Sequence, residues 1–140
     1  MLMTIKIGIN GMGRIGRMIV RSIYENHKGK IIIKHINNRS SGEICSNLLK
    51  YDSIHGKFNS QIKSGKNFIK INKEKISYTQ QTKIDDINWK KYNVDYVFEC
   101  TGKFNSRNQL LPYLKNGVKK VIVSAPCKMA DKTIVFGVNH

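Results

Sequence analysis

Gly11-Met12-Gly13-Arg14-Ile15-Gly16 carries the clearest chemical signal in the chain. At this spacing the first glycine permits a tight turn, the second lets the backbone approach a pyrophosphate, and the third lets a helix pack closely on a strand. A helix opening on such a loop offers unpaired N–H groups and the positive end of its dipole to an anion. The motif also asks for an acidic residue about 20 positions on, to accept from ribose hydroxyls. Here Asn38 stands 22 residues past Gly16, followed by Arg39. An amide can bond a hydroxyl but does not repel a 2′-phosphate, so NADP stands beside NAD as a candidate cofactor. The plainer alternative makes Asn38 a turn residue and Arg39 a solvated side chain.

Other reactive residue types offer less. Cys45, Cys100 and Cys127 are widely spaced and include no CxxC, which argues against a disulfide framework or a zinc site and fits a reducing compartment. Lys128 could lower the Cys127 pKa, but nothing nearby in sequence supplies an oriented base, so Cys127 is read as a small loop residue. Cys100 and Cys45 are expected to serve as core residues. His27, His35 and His140 lack metal-ligand spacing, and His55 is read as a packing or interface residue. No catalytic residue and no metal ligand is predicted.

The elements that must hold the glycine loop are legible on both sides of it. Ile5 to Asn10 forms a short β-branched run leading into the loop, and Ile15, Met18, Ile19 and Ile23 recur at helical spacing behind it. Arg14, Arg17 and Arg21 are expected on the other faces, with the helix closing between Asn26 and Gly29. Ile31 to Asn37 reads as a second buried strand, completing a βαβ unit. Farther on, the pattern predicts a helix over 43–51, short strands over 58–62, 68–71 and 75–79 forming an antiparallel insertion at one edge, and a buried strand over 94–99. A helix over 107–116 closed by Gly117 follows, with strands over 121–124 and 133–137. The predicted fold is α/β: a Rossmann-type, mostly parallel sheet with helices on both faces and a small antiparallel β insertion.

Composition narrows the class further. The 140 residues contain 25 Lys plus Arg against 9 Asp plus Glu, a net charge of +16. Only five of the basic residues are arginine, and no lysine run exceeds two, so the charge reads as lysine-rich drift and nucleic-acid binding is not expected. No apolar run of about 18 residues occurs, and no membrane association is expected. The length suits one domain, and no repeat or linker divides it.

Four blocks, in order, resemble the phosphorylating glyceraldehyde-3-phosphate dehydrogenases: Lys6 to Arg17, Leu48 to Phe58, Val94 to Gly102 and Lys119 to Pro126. An erythrose-4-phosphate-oxidising relative shares much of the same pattern. The resemblance implies that residues 1–140 are an NAD(P)-binding domain whose residues Asn10, Gly11, Gly13, Arg14, Ile15 and Gly16 hold the pyrophosphate, with Arg14 and Ile15 donating backbone N–H groups. It implies Asn38 at the adenosine ribose, Thr101, Gly102 and Phe104 on the adenine side, and Ser124 on the route to the nicotinamide. Where the family often reads Glu-Arg-Asp-Pro, this sequence has Gln81-Thr82-Lys83-Ile84, so an adenosine-contacting arginine is missing while a backbone contact at Thr82 could survive. The family's catalytic Ser-Cys-Thr-Thr-Asn block is not reached by Gly137-Val-Asn-His140, so the C-terminal catalytic domain is expected to be absent and the chain inactive alone. Intact members are homotetramers; this portion is not expected to oligomerise by itself, and because Lys6 interrupts the short apolar start too early for a secretory segment, the expected address is the cytosol. A non-enzymatic dinucleotide or nucleic-acid binding module and a decayed remnant remain as alternatives.

Overall fold

The computed structural model describes residues 3–140. In chain order it contains β1 (Ile5–Asn10), α1 (Arg14–Asn26), β2 (Ile31–Asn37), α2 (Gly42–Lys50), β3 (Tyr51–Asp52), β4 (Gly56–Lys57), β5 (Ile62–Gly65) and β6 (Phe68–Ile71). β7 (Glu74–Thr79), a single 3-10 turn at Ile84–Asp86, β8 (Tyr96–Glu99), α3 (Arg107–Lys115) and β9 (Lys120–Val123) complete it. One sheet has the order β5-β6-β7-β2-β1-β8-β9, and β3 and β4 form a separate hairpin. The five strands from β7 to β9 are mutually parallel, whereas β5 and β6 pair antiparallel at one edge. The predicted α/β class and edge insertion are both present. β7 belongs to both parts, joining the insertion to the parallel sheet through β2.

Alternation along β1 divides the interior in two. Ile7 and Ile9 face a core shared with Val20 and Ile23 of α1, Cys45 and Leu49 of α2, and Ile69, Ile71 and Ile76 of the insertion. Gly8 faces the opposite side, where an added Cβ would lie 2.4 Å from the Trp89 ring. Trp89 packs there with Val94, Val97, Leu110, Tyr113 and Val118, so α3 covers this second face. The β1–β2 register slips between Ile7 and Gly8, which pair with Ile33 and His35. The extra residue, exposed Lys34, lets Ile33 and Ile36 share one core while His35 and Asn37 face the other.

Three local expectations need correction. Helix α1 buries only part of the stripe Ile15, Met18, Ile19, Ile23: Ile23 is buried and Ile19 packs partly against the core, but Ile15 is 51% exposed and the other buried residues are Gly16, Val20 and Arg21. Gly16 sets this rotation, because a Cβ there would stand 2.1 Å from the Gly11 carbonyl oxygen, and the residues one and two turns beyond it then face the sheet. The same rotation buries Arg21. Its guanidinium donates to Leu49 O from Nε (3.1 Å) and Nη2 (2.8 Å) and to Gly56 O (3.0 Å), supplying donors to a carbonyl in the last turn of α2 and to one in β4.

The strand expected over 58–62 is displaced to Ile62–Gly65, because Phe58 is buried beneath Arg21 and edge-on to Tyr24 instead of joining a ladder. Residues 133–137 form no strand. Ile134, Val135 and Phe136 are exposed, and Val135 O instead accepts from Val138 and Asn139 N–H in a turn. No helix among the described residues is long and apolar enough to cross a membrane.

Candidate functional site

The chain runs from β1 through α1 to β2 on one side, while β8 lies on the other side of β1. In an open parallel sheet this divergence leaves a crevice at the carboxyl ends of the strands. A cleft of about 250 Å³ occupies that position. Its walls come from Asn10, Gly11 and Gly13 after β1, Asn37 to Arg39 after β2, Gln81 to Lys83 after β7, and Cys100, Thr101, Lys103 and Phe104 after β8, with Ile87 below.

Each glycine of the loop meets a different constraint. Gly11 has φ +95°, and an added Cβ would lie 2.8 Å from backbone atoms of Cys100 and Thr101. Gly16 is closed off by Gly11 O. Gly13 differs: a Cβ there would meet nothing within 4 Å, and its φ of −68° suits any L-residue. The packing of the protein does not require glycine at this position, which opens beside the start of α1. No side chain caps that helix, and acidic residues are absent from its first turn. The first N–H groups therefore stay available to a ligand anion.

Below the cleft, a chain of buried polar side chains crosses four strands. Asn10 Nδ2 donates to Glu99 Oε2 (2.9 Å) and Tyr113 Oη (2.7 Å), while Asn10 Oδ1 accepts from Asn37 Nδ2 (2.8 Å). Asn37 Oδ1 accepts from Thr79 Oγ1 (2.8 Å) and Gln81 N–H (2.9 Å). Glu99 Oε1 accepts from the Thr101 N–H and hydroxyl, and Tyr113 donates to Glu99 Oε2. Burial and the neighbouring Glu99 carboxylate push the Tyr113 phenol well above its ordinary pKa, keeping it a donor.

His35 extends the chain through Thr79 Oγ1 (2.9 Å) and Ser77 Oγ (2.7 Å), with its ring stacked on Tyr92 at 3.8 Å. Burial lowers its pKa to about 4. A neutral ring has one donor and one acceptor nitrogen; because the Thr79 hydroxyl donates to Asn37 Oδ1, Nε2 is the donor to Thr79, and the Ser77 hydroxyl must turn its hydrogen from Lys34 O toward Nδ1.

These positions sort the residues expected to bind cofactor. Asn10, Gly11, Gly13, Asn38, Thr101 and Phe104 line the cleft. Asn10 turns its side chain into the buried chain, so it positions the floor. Asn38 Oδ1 accepts from Met12 N–H (3.1 Å), tying the glycine loop to the end of β2. Gly16 lies behind the loop, Arg14 and Ile15 are exposed at the start of α1, and Gly102, at φ +72°, is not part of the lining although its neighbours Thr101 and Lys103 are. Ser124 is exposed outside the cleft wall, its N–H donating to Glu99 O (3.0 Å). Sequence reading missed Asn37, Glu99 and Tyr113; polar residues at the ends of otherwise apolar strands were the available signal for Asn37 and Glu99, while Tyr113 reaches the site from α3.

No thiol here is arranged as a nucleophile. Burial pushes the Cys45 and Cys100 pKa values up to about 11. Cys127 packs partly buried against the Trp89 core, and its one hydrogen-bond partner is the adjoining Lys128 carbonyl, at 3.7 Å. Among the described residues no group of three or more His, Cys, Asp or Glu could hold a metal ion.

Comparison with known proteins agrees with this geometry. Residues 5–107 match the family described as glyceraldehyde 3-phosphate dehydrogenase, NAD binding domain. The chain is 41% identical over 138 residues to a glyceraldehyde-3-phosphate dehydrogenase of Cereibacter sphaeroides, covering 99% of this chain and 41% of the relative. It is 37% identical to glyceraldehyde-3-phosphate dehydrogenase 2 of Bacillus subtilis and 36% identical to the Pseudomonas aeruginosa enzyme, covering 99% of this chain and 40% and 42% of those relatives. It thus spans about two-fifths of the curated relatives it matches. The strand-end cleft, the three-glycine loop and a family match over most of the sheet coincide: the chain belongs to the glyceraldehyde 3-phosphate dehydrogenase NAD-binding-domain family.

Proposed function

We propose that these 140 residues form the NAD-binding part of a phosphorylating glyceraldehyde-3-phosphate dehydrogenase. The observation that carries this reading is the open space at Gly13 beside the uncapped start of α1, at the crevice where the sheet order diverges. A pyrophosphate there would accept from the Arg14 and Ile15 N–H groups, with the adenosine toward Asn38, Thr101, Gly102 and Phe104. Ser124, at the end of β9, would flank the route of the nicotinamide. Asn10, Asn37 and Glu99 would hold the floor without touching the ligand.

Bound NAD would supply the hydride acceptor as an aldehyde is oxidised to an acyl phosphate. The share of these residues is to bind and orient it. With Cys45 and Cys100 held protonated and no base beside Cys127, these residues alone would not turn over glyceraldehyde 3-phosphate. The homotetrameric state implied by the family and a cytoplasmic setting belong to the same proposal, and the three free cysteines fit a reducing compartment.

Calorimetric titration of the purified chain with NAD tests the binding claim. Saturable binding at millimolar concentrations or below is expected, and its absence there would overturn the proposal. An absorbance assay with aldehyde, NAD and phosphate tests the second claim; NADH production would overturn it.

A further inference from the structure

We infer that the ribose end of this cleft accepts a 2′-phosphate, so that the chain binds NADP more tightly than NAD; the inference rests on the dinucleotide reading above. In this type of fold the end of the second strand reads the adenosine ribose, where a carboxylate accepts from the hydroxyls and repels a 2′-phosphate. Asn38 holds that place here. The oxygen with which it would accept from a ribose hydroxyl already accepts from Met12 N–H at 3.1 Å, and its amide neighbours the Tyr78 hydroxyl. Asn38 thus ties the glycine loop to the strand end and presents no anion to the ligand.

The surrounding charge points the same way. Arg39, Lys83 and Lys103 line the cleft, and no Asp or Glu does. In a chain with 25 Lys plus Arg, three cations in one wall could arise from composition alone; their placement decides the matter. Arg39 adjoins Asn38 at the end of β2, Lys83 stands on the segment leaving β7, and none of the three has a carboxylate partner among the described residues. Glu99, at the end of β8, is 1% exposed, and both its oxygens are occupied by Asn10, Tyr113 and Thr101. A 2′-phosphate at this rim would meet a guanidinium able to grip it with two N–H groups and no anion to oppose it. The two hydroxyls of NAD would find no carboxylate acceptor.

The test is calorimetry on the purified chain in phosphate-free buffer. NADP is compared with NAD, and 2′,5′-ADP with 5′-AMP and 3′,5′-ADP, since these fragments probe the adenosine end alone. NADP is expected to bind about tenfold more tightly than NAD, and 2′,5′-ADP to exceed both other fragments. Arg39→Ala should reduce the NADP-to-NAD affinity ratio by about tenfold, and Asn38→Asp, which restores a carboxylate, should invert it. Circular dichroism checks that both variants fold. NAD binding as tightly as NADP, or a ratio unmoved by Arg39→Ala, overturns the inference while leaving the dinucleotide reading intact. Equal binding of 3′,5′-ADP and 2′,5′-ADP marks general attraction to charge and also overturns it. Binding of neither dinucleotide overturns both readings.

Discussion

Asn10 and Glu99 meet side chain to side chain at 2.9 Å, linking the ends of two adjacent parallel strands beneath the cleft. Both are at least 97% buried, so the contact sits where an unmet polar group is costly. Asn10 is also held by Asn37, and Glu99 by Thr101 and Tyr113, so the strand ends that frame the cleft are fixed to one another by side chains.

Every group contacting Glu99 donates to it. Glu99→Ala would strand the Asn10 amide, the Tyr113 hydroxyl and the Thr101 N–H, and is expected to lower stability by on the order of 3 kcal/mol. Glu99→Gln should cost less, about 2 kcal/mol: one hydroxyl can rotate to accept from the new NH2, but either the Thr101 N–H or the Asn10 amide then faces a donor in place of an acceptor. Urea unfolding midpoints measure both; equal losses would contradict this arrangement.

The sequence made the sheet and the glycine loop legible because both follow from local pattern. Ile-rich runs give buried strands, and the three glycines mark the turn between β1 and α1. The rotation of α1 was hidden, since it depends on Gly16 touching Gly11 O, a contact between two residues without side chains. That contact buries Arg21, which the helical spacing had placed on a face away from the apolar stripe. The floor of the cleft was hidden for another reason. Asn10, Asn37, Thr79 and Glu99 lie on four strands, so their partnership arises only from strand order and register. Residues 133–137 have the composition of a strand, but composition does not supply the neighbour a strand needs.

Arg21→Met tests the buried guanidinium. Methionine keeps much of the apolar stem against Phe58 but gives no donor to Leu49 O or Gly56 O. A loss on the order of 2 kcal/mol is expected. Arg21→Lys should recover only part of it, because a single ammonium cannot reproduce the fork that bonds both carbonyls. Thermal unfolding of the three proteins measures the order; lysine matching arginine would show that charge alone suffices.

Stability should also fall in mild acid. Unfolded, the His35 ring takes up a proton near its ordinary pKa of 6.5, while the folded chain resists it until about pH 4. The unfolded state therefore binds more protons across that window, and stability declines as pH drops through it, by at most ~3 kcal/mol from this group. Asp52, held below the usual carboxylate range by N–H groups of His55 and Ile54, adds a further loss at lower pH. His35→Gln keeps a donor and an acceptor for Ser77 and Thr79 but cannot titrate. Its urea midpoint should change less between pH 7 and pH 4.5 than that of the parent chain; parallel curves would assign the acid loss elsewhere.

The glycine loop allows folding and binding to be separated at two positions in one motif. Gly16→Ala would place a methyl group 2.1 Å from Gly11 O, a contact that only backbone movement can relieve. It should cost roughly 3 kcal/mol or more and weaken NAD binding with it. Gly13→Ala adds its methyl group to open space at an ordinary φ, so stability should stay within about 1 kcal/mol of the parent, the small loss reflecting a poorer helix N-cap. Under the proposed function that open space is where a pyrophosphate approaches the backbone, so the same variant should lose about tenfold or more in NAD affinity. Paired unfolding and calorimetric titrations measure both quantities. A stable Gly13→Ala chain that binds NAD as well as its parent would place the pyrophosphate somewhere other than the start of α1.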